Sequence, residues 1–256
     1  MVLKYEKQGH IAIFTLNRPE HMNAKNMEMF RRLEETMIDF RDDPDMWVGV
    51  ITGAGDKAFC AGADVKDALP YMREHRNEQE AIGRNIIRGL DVWKPFIAAV
   101  NGVAYGGGCE LALACDFRIA AENARFAQAE IWVGAMPGGG GTQRLIRFIP
   151  RCKAAEILLM GKIIDAQEAY RIGLVNEVVP LNQLMLKAME YAEAICQWSP
   201  VAIRAIKEAM IRGADMTLAD GMRLEKLLFS QVIASEDFEE GIRAFREKRK
   251  PNFKGR

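Results

Sequence analysis

Residues 101–116 read NGVAYGGGCELALACD. Gly106, Gly107 and Gly108 lead toward Glu110, and Leu111, Ala112, Leu113 and Ala114 follow it. Glycine lets a backbone approach a ligand closely and adopt positive φ. The first turn of a helix leaves N–H groups unpaired and carries partial positive charge. A glycine run feeding an apolar helix therefore makes a place for a negative oxygen. Glu110 stands about one helical turn beyond Gly107, so it can face the same space. A second reading stays open, in which small residues let a turn pack tightly against a neighbour.

A second loop has the same character. Residues 58–64 read AFCAGAD. Two such loops, each after a buried strand, could offer two N–H groups to one oxygen. That is an oxyanion hole, in which each donor is worth about 10²–10³ in rate.

The elements that must hold these loops are legible in part. The apolar run Ile11–Leu16 predicts a strand after a turn at Gly9, closed by Asn17-Arg18-Pro19. Met27, Phe30, Leu33, Met37 and Phe40 recur at spacings of three and four and predict a helix over 25–41. Residues 47–51 and 96–100 predict buried strands that end in glycine turns. Asp165 to Glu168 has capping-box form, Gly173 supplies a stop, and residues 174–179 predict a short strand. Thr217 and Ser235 are further helix starts, and Phe238, Ile242 and Phe245 share one face. Alternating strands and helices give an α/β class. The composition shift near residue 180 divides the chain into an α/β core, residues 1–180, and a helical region, residues 181–256.

Composition excludes several classes. The chain has 256 residues, 49% of them hydrophobic, enough for a sizeable core. Thirty-five basic and 35 acidic side chains balance, so nothing draws it to nucleic acid or an anionic membrane. Five cysteines without a CxxC pair argue against a disulfide framework or zinc site and for a reducing compartment. The three histidines, His10, His21 and His75, are scattered, and no metal is expected. The first residues lack the apolar core of a signal peptide, and no run of about 18 apolar residues occurs. A soluble, cytoplasmic protein is the expectation.

Three stretches carry a resemblance. AFCAGAD, KPFIAAVNGVAYGGGCELALACD and FAQAEIWVGAMPGGGGTQRL follow one another as in the crotonase superfamily. The C-terminal AFREKRKPNFK is similar to its enoyl-CoA hydratase branch. The resemblance implies a ββα-superhelix (spiral) core with a C-terminal helical trimerisation region. It implies that the backbone N–H groups of Ala63 and Gly107 bind the thioester oxygen of an acyl-CoA. Glu110 and Glu130 would be the paired catalytic carboxylates, with Glu110 as base toward water and Glu130 as proton donor to Cα. Relatives that only isomerise commonly lack one of the pair, so the presence of both favours hydration of a 2-enoyl-CoA. Coenzyme A would enter as part of the substrate, with no separate cofactor.

The remaining assignments also rest on the resemblance. Ala61 would offer its carbonyl to the adenine, Asp64 would lie in the CoA-binding loop and Lys66 near the phosphates. Phe245 and Lys248 would complete the CoA site of a neighbouring subunit in a homohexamer, a dimer of trimers. The alternative for Lys248-Arg249-Lys250 is a solvated helix end. Gly138, in the run to Gly141, would lie near the acyl group, or form a turn before the next helix. Trp132 stands where relatives carry smaller aliphatic residues and would either border the acyl pocket or fill the core. Ala129 replaces a frequent proline, and the segment from Leu69 to Gln79 would border the pocket. Rival reactions are isomerisation, thioester hydrolysis and hydration of a cyclic enoyl-CoA. An RNA-binding branch is a rival of another class. Lys25, Arg31, Arg32 and Arg41 on the predicted helix are interleaved with Glu28, Glu34, Glu35 and Asp39, which argues against RNA.

Overall fold

The chain opens with a hairpin, β1 (Leu3–Gln8) and β2 (Ile11–Leu16), turned by Gly9 at φ 57°. A computed structural model describes residues 1–78 and 82–256. Gln79, at the end of the segment predicted to border the pocket, lies outside them. Asn26 caps α1 (Met27–Asp42) by accepting from the Met29 N–H, and Phe30, Leu33, Met37 and Phe40 of the predicted apolar face are buried. Lys25 is therefore not a helix residue.

Three strand–strand–helix units then follow. The first is β3 (Val48–Gly53), β4 (Ala58–Cys60) and α2 (Ala68–Glu74). The second is β5 (Phe96–Val100), β6 (Val103–Tyr105) and α3 (Gly107–Ala114). The third is β7 (Phe117–Ala121), β8 (Arg125–Ala127) and α4 (Gly141–Phe148), with a 3₁₀ turn at Ala129–Val133. After α5 (Arg151–Leu159) come β9 (Ile164–Asp165), α6 (Ala166–Arg171) and β10 (Glu177–Val179). The first strand of each unit joins a six-stranded sheet, ordered β1-β2-β3-β5-β7-β10. The second joins a four-stranded sheet, ordered β4-β6-β8-β9. This repeated step between sheets is the expected ββα spiral. Residues 174–176 stay out of the predicted strand because the Leu174 and Val175 N–H groups still bond to Ala169 at the end of α6.

The central parallel strands of the larger sheet, β3 and β5, are buried on both faces, as parallel strands require. Phe96, Ala98 and Val100 enter one core, while Ile97 and Ala99 enter the other. The second face is covered by α7 (Leu184–Cys196) through Leu184, Ala188 and Ala192, spaced one helical turn apart. This helix shares the core of the strands although it follows residue 180. Beyond it come α8 (Pro200–Gly213), α9 (Leu218–Ile233) and α10 (Glu236–Glu247), capped as predicted for Thr217 and Ser235. The tail returns to α10, where buried Asp237 accepts from Ser199, Lys254 and Gly255. Among the described residues no helix is long and apolar enough to cross a membrane.

Candidate active site

The two glycine loops meet. Lys25 forms a parallel bridge with Ala63: its N–H donates to the Gly62 carbonyl at 2.8 Å, and its carbonyl accepts from the Asp64 N–H at 2.9 Å. Such a bridge uses the groups on either side of Ala63 and leaves Ala63's own N–H unused. Gly107 begins α3, so its N–H is one of the helix's orphan donors. Among the described residues neither N–H donates to a protein acceptor. A Cβ on Gly107 would stand 3.9 Å from the Ala63 nitrogen, and a Cβ on Gly62 would stand 3.5 Å from the Gly107 nitrogen. The two amides therefore border one space.

Each glycine of the run has a different cause. Gly106 adopts φ 50°, ψ −126°, and a Cβ there would press to 3.0 Å of Glu130 Oε1. Gly107 borders the shared space. A Cβ on Gly108 would lie 1.9 Å from the Cys60 carbonyl, so this position serves close packing of α3 on β4. The close-packing reading of the sequence holds at Gly108. Two buried asparagines fix the first loop. Asn101 donates to the carbonyls of Gly53, Gly55 and Ala58, and Asn23 donates to those of Ala54 and Ala58.

Glu110 is 4% exposed on the first turn of α3. Its Oε1 accepts from the Gly139 N–H at 2.6 Å and the Gly141 N–H at 2.9 Å. These amides belong to the start of α4, where Gly140 sits at φ 99°. A Cβ on Gly139 would come within 2.5 Å of Glu110 Oε2. The Gly138–Gly141 run is thus the cradle of a carboxylate, a role the sequence reading missed. Two N–H donors at the start of α4 fix the position of this carboxyl.

Glu130 sits in the opposite kind of environment. Its 3₁₀ turn is closed by Gly134 at φ 72°, and its carboxyl lies against Gly106. Its Oε2 is buried without a hydrogen-bond partner among the described residues. Burial first, then the nearby Glu110 charge, pushes its pKa up to about 7, against the lowering effect of its backbone bond and Lys25. The two carboxyls thus sit in unlike surroundings, one held by two backbone donors and the other buried with an oxygen that no described residue bonds.

The other predicted residues are placed as follows. Asp64 pairs with Arg18 at 2.9 Å and accepts from the Lys66 N–H, so its carboxylate braces the loop. Ala61 is half-buried, Lys66 and Gly138 are exposed, and Gly138 faces Arg88. Trp132 is 50% exposed and not in the core; its indole N–H donates to Gly161 and its ring meets Tyr105 edge-on. Phe245 is 86% exposed on α10. Lys248 ends that helix at φ 55°, while Arg249 folds back onto Glu240. The sequence reading also missed Lys25, a residue 2% exposed whose ammonium donates to the Gly107 carbonyl at 2.8 Å. Its nitrogen is 3.1 Å from the point a Gly107 Cβ would occupy. Among the described residues no group of three or more His, Cys, Asp or Glu could hold a metal ion.

Known proteins share this chain's sequence and shape. A family model described as Enoyl-CoA hydratase/isomerase matches residues 6–256. The (E)-benzylidenesuccinyl-CoA hydratase of Thauera aromatica is 43% identical, covering all of both chains. The crotonyl-CoA hydratase of Syntrophomonas wolfei is 41% identical, covering 97% of this chain and 96% of the relative. The crystal structure of an enoyl-CoA hydratase from Bacillus anthracis superposes with a TM-score of 0.93 at 38% identity, covering all of both chains.

Proposed function

The chain belongs to the enoyl-CoA hydratase/isomerase family, and from that premise we propose that it is an enoyl-CoA hydratase acting on a 2-enoyl-CoA thioester. The observation that carries the reading is the unlike pair of carboxyls. Glu110 is anchored by two N–H groups and Glu130 is raised to about 7, beside two free amides. The Ala63 and Gly107 N–H groups receive the thioester oxygen. Glu110 takes a proton from water as the water oxygen bonds to Cβ. The electrons of the double bond move toward the thioester, whose oxygen gains charge between the two amides. Glu130 then delivers its proton to Cα, and solvent restores both carboxyls. Donors aimed at a charge that grows during the reaction favour the transition state over the substrate.

The CoA contacts are part of this proposal: the Ala61 carbonyl to the adenine, Lys66 to the phosphates, Phe245 and Lys248 from a neighbouring subunit. The motive for an oligomer, a dimer of trimers, is the exposed apolar surface of the last helices. Met210, Leu227, Phe229, Phe238, Ile242 and Phe245 all face outward. CoA enters as substrate, and no other cofactor is called for. The test is product identification after incubation with short, long and cyclic enoyl-CoAs. A 3-hydroxyacyl-CoA supports hydration. A shifted double bond or free CoA would replace this reading by isomerisation or hydrolysis.

A further inference from the structure

Lys25 is a buried cation that water addition does not explain. Placing an ammonium out of water costs several kcal/mol unless partners compensate. The other buried cations have such partners. Lys94 donates to the Phe40 and Asp43 carbonyls at the end of α1, at 2.6 and 2.5 Å. Arg118 donates to the carbonyls of Cys115 and Leu174. Lys25 has one acceptor, the Gly107 carbonyl, and no described carboxylate in ion-pair contact. An ammonium has three N–H donors, so two remain without an acceptor among the described residues. Phe30 adds a ring face 5.1 Å from the nitrogen, which supplies no lone pair.

The position of the spare donors narrows the partner. The Lys25 nitrogen borders the point next to Gly107 that also lies near the Ala63 nitrogen. Phe30, beneath the ammonium, packs with Ala68 and Ile82 in a small apolar cluster that includes Ala63. A second cation, Arg88, lies at the rim, with its guanidinium 3.2 Å from where a Gly138 Cβ would be. Burial is the main influence that disfavours the Lys25 charge, and nearby Arg88 adds to it, so an anion between the two would offset both. Glu110 is within electrostatic reach, but its Oε1 is committed to Gly139 and Gly141. The phosphates of a CoA lie at the far end of the pantetheine arm from its thioester. An anion beside the thioester amides therefore belongs to the acyl group itself.

We infer that the acyl group of the substrate carries a carboxylate close to the reacting double bond, and that Lys25, with Arg88 at the rim, is the residue that selects it. This rests on the hydratase reading of the same site. A carboxylate offers two oxygens to the two spare donors, and its full charge is present in the bound substrate. The thioester oxygen already has two amides, and its charge appears only as the reaction proceeds.

The test compares crotonyl-CoA with fumaryl-CoA and glutaconyl-CoA, which carry a carboxylate on Cβ and one carbon beyond. Wild type is expected to favour at least one carboxylated thioester over crotonyl-CoA in kcat/KM. Lys25→Met should lower that preference on the order of 10–100-fold, the range of a hydrogen bond to a charged group. A parallel measurement is the Kd of wild type and variant for the saturated pair glutaryl-CoA and butyryl-CoA, and the same change in their ratio is expected. Equal losses on all thioesters would overturn the inference and make Lys25 a support of the thioester oxygen. An unchanged ratio, or a wild type that prefers crotonyl-CoA, would also overturn it. If no thioester is hydrated, the hydratase reading fails, and the Kd ratio still decides whether Lys25 selects a carboxylate. A Lys25→Met variant that does not fold leaves the wild-type Kd ratio to decide: tighter glutaryl-CoA supports the inference, and tighter butyryl-CoA overturns it.

Discussion

Glu130→Gln should stabilise the protein at alkaline pH while removing its activity. The folded environment raises this carboxyl from its ordinary 4.5 to about 7, chiefly by burial. The folded chain therefore keeps a proton that the unfolded chain has lost between those values. Folding stability is undiminished below pH 4.5 and falls as pH rises toward 7, after which the loss is constant. At about 1.4 kcal/mol per pH unit the full shift is worth roughly 3.5 kcal/mol. The side chain is only partly buried, so solvent screening reduces this to about 1–2 kcal/mol. Glutamine has the same shape and no charge to bury. Urea melts of wild type and variant at pH 5 and pH 8 measure the effect. The variant should match wild type near pH 5 and exceed it by about 1–2 kcal/mol at pH 8. A variant less stable than wild type at pH 8, or a difference independent of pH, would refute the assigned environment of Glu130.

Four other outcomes follow from the same geometry. Gly107→Ala should fold, since its Cβ meets the movable end of Lys25, and should lose about 10²–10³ in kcat/KM as the amide is obstructed. Gly108→Ala, whose Cβ meets the Cys60 carbonyl at 1.9 Å, should instead be destabilised by about 3 kcal/mol or more, read by thermal melting. Asn101→Ala strands the carbonyls it bonds in the first loop and should lower stability by about 2–4 kcal/mol in urea. Phe245→Asp places charge on the exposed apolar face of α10 and should reduce the assembled mass in light scattering; an unchanged mass would remove that face from the interface.

What could be read in advance depended on the range of the interactions. The strands at 11–16 and 96–100 showed as apolar runs with turns at their ends, and both are present. Asp165, Thr217 and Ser235 cap their helices because a cap is a contact three residues long. Glu110's place after Gly107 followed from helical spacing, whereas Glu130 could be paired with it only through the family resemblance. The Gly138–Gly141 cradle was not legible, since backbone donors leave no side-chain signature and the carboxylate they hold is some 30 residues away in sequence. Lys25 was counted among the interleaved charges of the predicted helix. Its partner carbonyl lies 82 residues further along the chain, and only the fold shows that the ammonium is buried. Trp132 was expected at the acyl pocket or in the core, and its position against Tyr105 and Gly161 depends on a long-range contact of the same kind.

The central claim is that two carboxyls divide acid and base work over a thioester held by Ala63 and Gly107. It is tested most directly by turnover of a 2-enoyl-CoA in wild type, Glu110→Gln and Glu130→Gln, with the Kd of a saturated acyl-CoA measured on each. Wild type should form the 3-hydroxyacyl-CoA, and each variant should lose about 10²–10⁴ in kcat with Kd nearly unchanged. A variant that keeps wild-type turnover, or one whose loss lies wholly in Kd, would contradict it.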